Sequence, residues 1–349
     1  MLSALATTAP GQPLREGLDR IREADLGALL VIGDDPAVLA ICSGGFLLDA
    51  SFSPQRLSEL AKMDGAIILA NDASRIARAN VQLMPDPSVP TAETGTRHRT
   101  AERVARSLGV AVISVSESRD AITVYLDAEQ RPLLSSSVLL ARANQALQTL
   151  EQYRKRLDHA SSELAALEVE DLVTVRDVVS LVQRLEMVRR ISDEIEVTIV
   201  ELGTDGRLVR LQLEELLGGA DDERRLVLRD YVVSGHEWDL AAALGALDTL
   251  ETEELLDART VASALHLVGP ADDLDASVTA RGYRLLTRVP RLPDLLIDRV
   301  VERFGTLQKI MRATPAELAE VAGLNEARGR SIKDALGRLA ESSILDHYS

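Results

Sequence analysis

Gly27-Ala28-Leu29-Leu30-Val31-Ile32 is a short run without a polar side chain, and three more short, largely apolar runs follow it: Ala66-Ile67-Ile68-Leu69, Ala111-Val112-Ile113-Ser114-Val115 and Ala121-Ile122-Thr123-Val124-Tyr125. Runs of this length read as strands, and the stretches between them carry helical periodicity. From about Leu14 to Asp127 the chain is therefore expected to form an α/β domain. Asp120 leaves little room between the last two strands, which predicts a hairpin and a mixed, not purely parallel, sheet.

Working outward, the pattern changes after Pro132. Leu140, Ala143, Leu147, Leu150, Leu157 and Leu164 recur at three-four spacing, as on one face of a long helix. Helical patterns continue to about residue 280, punctuated by Gly203-Thr204-Asp205-Gly206 and Gly218-Gly219. From Arg281 onward, Pro290, Pro293, Gly305, Pro315 and Gly323 cut the chain into short helices that read as two related pairs. The expected organisation is a flexible N-terminus at 1–13, an α/β domain at 14–137, an all-α spine at 138–280 and a compact helical module at 281–349.

Composition narrows the function. The 349 residues are 46% hydrophobic but only 3% aromatic, which favours a core of Leu, Val, Ile and Ala. The single cysteine, Cys42, excludes an intramolecular disulfide, and no CxxC or HExxH pattern offers a zinc site. Neither a signal-peptide pattern nor an apolar run of membrane-spanning length is present, so a cytoplasmic protein without membrane partners is expected. The net charge of −16 argues against nucleic acid until its distribution is considered. Residues 201–280 carry a local −12, whereas residues 281–341 carry +4. The tail is the basic part.

Two motifs carry chemistry. In Thr94-Gly95-Thr96-Arg97-His98-Arg99-Thr100-Ala101-Glu102-Arg103-Val104-Ala105-Arg106-Ser107-Leu108-Gly109, a helix starts near Thr96 and stops at Gly109. A helix N-terminus favours acidic side chains, yet this one offers Arg97, His98 and Arg99. A bound polyphosphate resolves the conflict; a solvent-facing basic turn is the competing reading. The other motif, Asp64-Gly65-Ala66, opens a strand where glycine admits a ligand and aspartate can hold a metal or a proton. An ordinary Asp-Gly turn is the commoner meaning of that pair in isolation. No GxxxxGK[ST] or GxGxxG loop occurs, so any nucleotide site is of another kind.

Taken in order, Lys62-Met63-Asp64-Gly65-Ala66, residues 79–86, Gly95-Thr96-Arg97-His98-Arg99-Thr100-Ala101-Glu102-Arg103 and Val112-Ile113-Ser114-Val115-Ser116-Glu117 resemble the diadenylate cyclase family. With the spine and terminal module, the resemblance to DNA-linked members of that family spans roughly residues 14–340. It implies an enzyme that condenses two ATP molecules into cyclic di-AMP and two pyrophosphates with Mg²⁺ or Mn²⁺, coupled to DNA binding and surveillance of DNA damage. It further implies that Asp64 holds the metal and assists deprotonation of the ATP 3′-hydroxyl. Gly65, Ala66 and Leu83 would border the nucleoside. Thr96, Arg97, His98, Arg99, Thr100 and Ser116 would hold the phosphates, with Arg97 and Arg99 neutralising charge during transfer. Because one site holds one ATP, two cyclase domains must face each other, and an octamer is implied. The alternative is a non-catalytic, ATP-sensing DNA-binding scaffold.

In the tail, Leu318-Ala319-Glu320-Val321-Ala322-Gly323-Leu324-Asn325-Glu326-Ala327-Arg328-Gly329-Arg330-Ser331-Ile332 resembles a helix-hairpin-helix, whose hairpin amides meet a DNA phosphate. Asn325 stands where the second glycine is usual; asparagine tolerates the left-handed conformation, but its side chain stands in the way of close approach by a phosphate. Gly323, Asn325, Arg328, Arg330 and Lys333, with Arg291 from an earlier hairpin lacking glycine, are the candidate DNA contacts. Branched or damaged DNA and a nucleoid-associated location are the corresponding expectations; a packing module is the competing reading. His236, His266, His347 and Trp238 receive no role.

Overall fold

A computed structural model describes residues 1–117, 120–232, 239–267 and 273–347, with side chains to residue 341. His236 and Trp238 and the side chain of His347 lie outside the described residues. Two compact units emerge, one of residues 1–146 and 194–212, the other of 147–193 and 213–349. The boundaries of these units, at 146/147, 193/194 and 212/213, all fall inside helices.

The first unit contains an eight-stranded sheet: β1 Ala28–Ile32, β2 Cys42–Ser43, β3 Phe46–Ser51, β4 Ala66–Leu69, β5 Arg75–Leu83, β6 Ala111–Ser116, β7 Ala121–Leu126 and β8 Glu129–Pro132. Strand order is β2-β5-β4-β1-β6-β7-β8, and β3 also pairs with β5. Among the described residues only β1 and β4 pair in parallel; β6 and β7 form the expected antiparallel hairpin, and the sheet is mixed. Helices α1 Leu2–Thr7, α2 Pro13–Glu23, α3 Pro36–Ala40, α4 Pro54–Leu60 and α5 Thr96–Leu108 cover it. Because successive strand side chains alternate, Leu30, Ile67 and Ile113 pack with Leu18, Ile21 and Leu57 on one face. Leu29, Val31, Ile68 and Tyr125 pack with Ala101, Val104 and Ala105 of α5 on the other. The N-terminus is not the flexible segment expected: α1 forms, Ala4 and Leu5 are buried, and the Thr8 hydroxyl donates to the Ala4 carbonyl at 2.9 Å. Burial of these two apolar side chains offsets the ordering of this short helix.

The remaining helices are α6 Ser136–Glu170, α7 Val175–Leu202, α8 Arg207–Leu217, α9 Ala220–Tyr231, α10 Leu240–Thr249, α11 Thr252–Leu256, α12 Ala258–Ala264, α13 Tyr283–Thr287, α14 Asp294–Phe304, α15 Leu307–Arg312, α16 Pro315–Ala319 and α17 Glu326–His347. In the second unit Arg284, 3% exposed, donates to Glu168 at 2.7 Å, to the Ser161 hydroxyl at 3.0 Å and to Glu223 at 3.2 Å. Tyr231 donates to the same Glu168 oxygen at 2.7 Å. Asp230 accepts the backbone N–H groups of Gly282 and Tyr283 at 2.7 Å and of Arg284 at 2.9 Å, capping α13. Burial, reinforced by the Glu168 charge, pushes Asp230 up to about 7, against the lowering effect of those donors and of the Arg284 cation.

The terminal helices form two pairs, α13 with α14 and α16 with α17. Val289-Pro290-Arg291-Leu292 and Val321-Ala322-Gly323-Leu324 repeat one turn, with Arg291 at φ +60° where its counterpart Gly323 has φ +92°. Arginine thus occupies a left-handed position that glycine favours. Asn325 does not adopt the left-handed conformation that asparagine tolerates: it is not among the positive-φ residues, and its side-chain oxygen accepts the Arg328 N–H at 2.9 Å. Asparagine satisfies an orphan donor at a helix start, and this makes it a cap instead of a glycine substitute.

Candidate active site

The rim where β1 and β4 begin and β6 ends carries the candidate site. Ala28 lies opposite Val115 and Leu29 opposite Ala66, so Gly27, Asp64 and Ser116 fall at one end of three neighbouring strands. Helix α5 starts at the same rim. An open cavity of about 940 Å³ is lined by Asp64, Thr94, Gly95, Thr96, Arg97, His98, Val115, Ser116 and Glu117. Gly95 precedes the helix at φ +86°, no side chain caps it, and its first turn holds no acidic residue. The positive end of the helix and the Arg97 guanidinium both belong to one cavity, as an anion site requires.

Asp64 and Arg97 meet across it, Nη2 to Oδ1 at 3.0 Å, with the Asp64 side chain 94% exposed. Gly27 makes the seat for that guanidinium, since a Cβ at position 27 would lie 2.1 Å from Arg97 Nη1. His98 is buried, its Nδ1 2.7 Å from the Ser114 hydroxyl, and its ring centroid is 6.4 Å from that of Tyr125. Burial, the hydrogen bond to Glu93 and the Glu93 and Glu102 charges raise the Tyr125 phenol well above its ordinary range, so it stays a neutral donor.

Of the residues expected from sequence, the cavity collects Asp64, Thr96, Arg97, His98 and Ser116. Gly65, Ala66, Leu83, Arg99 and Thr100 lie outside its lining. Ala66 and Leu83 are buried in the apolar layer beneath α5, Gly65 packs against the Asn80 backbone, and Arg99 is exposed. Glu117, Gly27, Ser114 and Tyr125 were not singled out by sequence reasoning. Glu117 adjoins Ser116 and so lay within reach of the motif; the others act through tertiary contacts that no spacing announces.

The carboxylates of the lining are Asp64 and Glu117, and among the described residues no three His, Cys, Asp or Glu side chains converge. That donor set does not form a resident metal cage. It does fit Mg²⁺ or a similar ion arriving with phosphate, because such ions bind through one or two carboxylates, phosphate oxygens and water.

In the terminal module the candidate DNA residues gather around the second hairpin. The Arg328 guanidinium donates to the Gly323 carbonyl at 3.3 Å, Arg330 pairs with Glu326 at 3.7 Å, and Lys333 donates to the Met311 carbonyl. Arg291 is exposed in the first hairpin.

A mixed α/β domain with a basic, uncapped helix start facing an aspartate on the same rim defines a nucleotide-binding domain of the diadenylate cyclase class. Residues 15–130 match the family model described as DisA bacterial checkpoint controller nucleotide-binding, and residues 133–273 match the DisA bacterial checkpoint controller linker region. The chain belongs to the DisA family. It is 53% identical to the DNA integrity scanning protein DisA of Streptomyces coelicolor over 100% of this chain and 94% of that protein. The DNA integrity scanning protein DisA of Acidothermus cellulolyticus is 54% identical over 99% of this chain and 95% of its own length. A solved structure of DacA from Staphylococcus aureus aligns with 39% of this chain and 88% of its own at 22% identity and a TM-score of 0.31. Among the described residues no helix is long and apolar enough to cross a membrane.

Proposed function

We propose that the chain condenses two ATP molecules into cyclic di-AMP, each 3′-oxygen attacking the α-phosphorus of the other ATP and expelling pyrophosphate. Each new P–O bond replaces one to pyrophosphate, and two hydroxyl protons are released. The observation that carries this reading is the Asp64–Arg97 pair at the mouth of a cavity built on a helix N-terminus. An exposed ion pair contributes only about 0–1 kcal/mol, so a triphosphate can take Arg97 from Asp64 at little cost. The released carboxylate is then available for the 3′-hydroxyl proton and for a divalent ion. A bound Mg²⁺ or Mn²⁺ supplies neutralisation of phosphate charge. Thr96, His98 and Ser116 hold phosphate oxygens, and Arg97 balances charge on the group in transfer. Gly65, Ala66, Leu83, Arg99 and Thr100 retain their assigned roles as proposals, with Arg99 and Thr100 reaching phosphate as ATP fills the rim.

A cavity with one Asp64 serves one 3′-hydroxyl, whereas the product is symmetric and needs two. Turnover therefore requires two cyclase domains face to face. An octamer is the assembly we infer, tested by the mass of the particle in solution. Incubation with ATP and Mg²⁺ or Mn²⁺, followed by chromatography, should yield cyclic di-AMP. Asp64→Asn should bind ATP and form no product; undiminished synthesis by that variant removes Asp64 from the mechanism.

The terminal module is assigned to DNA, branched or damaged, through Arg291, Gly323, Asn325, Arg328, Arg330 and Lys333, and a cytoplasmic, nucleoid-associated enzyme follows. What supports it is the paired hairpin geometry and the local +4 charge of residues 281–341. Phosphate contacts predict binding that weakens steeply with salt. Salt-independent association with branched DNA, or none at low salt, overturns the assignment.

A further inference from the structure

The segment before α5 has no regular structure from Met84 to Gly95, yet it supplies Thr94 and Gly95 to the cavity lining. Left alone, such a loop keeps its conformational freedom, at about 1–2 kcal/mol per residue when it is finally ordered. Here it is tied down residue by residue. Arg103 Nε donates to the Val89 carbonyl at 3.0 Å and Arg106 Nη1 to the Pro90 carbonyl at 3.2 Å. Glu102 Oε2 accepts the Thr91 hydroxyl and, at 3.2 Å, the Ala92 N–H. The Thr91 hydroxyl oxygen accepts the Glu93 N–H at 3.1 Å, and the Tyr125 hydroxyl donates to Glu93 Oε1 at 3.0 Å. Glu102, Arg103 and Arg106 share one face of α5 because residues three and four apart are neighbours there. The helix thus fastens the strap that leads into its own N-terminus.

Glu102 and Tyr125 are the two buried members of this fastening, at 8% and 1% exposure, and neither lines the cavity. The other oxygen of Glu102 pairs with Arg106 at 2.7 Å, which holds the carboxylate in place while Oε2 receives the strap. Tyr125 also lies beside the His98 ring, so one side chain braces both the strap and the first turn of α5.

We infer that Glu102 and Tyr125 are positioning residues of the nucleotide site, holding residues 89–93 so that Thr94, Gly95 and Thr96 meet the triphosphate already in place. The inference rests on the proposed ATP site but not on cyclic di-AMP being its product. Loss of the strap moves its ordering into the binding step, and such a loss raises KM while kcat changes less.

The test uses the full chain. Glu102→Ala should raise the ATP KM roughly tenfold, the equivalent of one to two lost hydrogen bonds, and Tyr125→Phe about threefold. Glu102→Gln keeps an acceptor for Thr91 and Ala92 but gives up the charge facing Arg106, and should stay within about threefold of the parent. Hydrogen exchange at the Ala92 and Glu93 amides should accelerate in the Ala variant and not in the Gln variant. Parent-like KM and exchange in both Glu102→Ala and Tyr125→Phe overturn the inference. So does an equal fall of unfolding midpoint in Glu102→Ala and Glu102→Gln with ATP affinity untouched, since that is a helix-stabilising role alone. If the parent chain makes no cyclic di-AMP, the proposed reaction falls, while ATP affinity and amide exchange still decide the strap.

Discussion

Two arginines, each bonded to carboxylate, have opposite fates in this molecule. Arg97 meets Asp64 at an open cavity mouth, with side chains 40% and 94% exposed. Arg284 meets Glu168 and Glu223 where its own side chain is 2% exposed. Removing water from two charges is expensive, and the buried contacts repay it only while every partner stays. The exposed pair gives up little when a third charge arrives. The same chemical contact is therefore a fixed joint in one unit and a replaceable placeholder in the other.

Breaking the buried joint should have the largest effect. Arg284→Met leaves Glu168 and Glu223 without their cation, at a cost of about 3–5 kcal/mol, read as a lower denaturant midpoint for the second unit. A midpoint within experimental error of the parent would make Arg284 as replaceable as Arg97.

The Asp230 carboxyl beside that joint gives the next effect, through pH. Its folded value near 7 lies above the ordinary carboxylate value of 3.8, so its contribution to stability is fully present below about 4 and lost as pH rises through 7. Raising pH from 5 to 8 should cost the parent on the order of 2 kcal/mol relative to Asp230→Asn, which cannot ionise there. Parallel pH profiles for the two proteins would show that the three N–H donors outweigh burial.

Breaking the exposed pair should separate function from folding. Arg97→Ala should raise the ATP KM roughly ten- to hundredfold, as for loss of charge-assisted phosphate bonds, with unfolding free energy within about 0.5 kcal/mol of the parent. The smallest effect is a control for exposure itself. Arg20 pairs with Glu16 at 2.9 Å, with side chains 44% and 54% exposed, on α2 away from the active-site cavity. Arg20→Ala should move stability by less than about 0.5 kcal/mol and leave the ATP KM alone. A raised KM in that variant would mean exposed charge steers ATP regardless of place.

The difference between these regions also governs what could be read beforehand. β1, β4, β6 and β7 were legible because strands buried on both faces appear as apolar runs. β5 was not, since Arg75, Arg78, Asn80 and Gln82 interleave with small alanines, and β2, β3 and β8 are edge pieces with exposed residues. At the nucleotide rim the signal in the sequence was Arg97, whose positive charge stands against the field of the helix start, whereas Asp64 was picked out only by the family resemblance. Glu102 and Tyr125 were silent because a glutamate within a helix and a tyrosine within a strand are ordinary until their partners are known. Arg284 drew no assignment from the sequence: within the basic tail nothing marks one arginine as buried, and its bonds to Glu168, Ser161 and Glu223 come from helices distant in the chain. The capping role of Asn325 was equally hidden, since caps and left-handed turns draw on the same residue type.

Gly27 bears on how sequences of this architecture can drift. The atom missing from its α-carbon is the space that the Arg97 guanidinium fills. A side chain at position 27 must turn Arg97 aside, and because the atoms in the way are the far end of a flexible, 40% exposed side chain, the fold itself can accept the change. Drift at position 27 is therefore limited by the aim of the guanidinium and not by room in the fold.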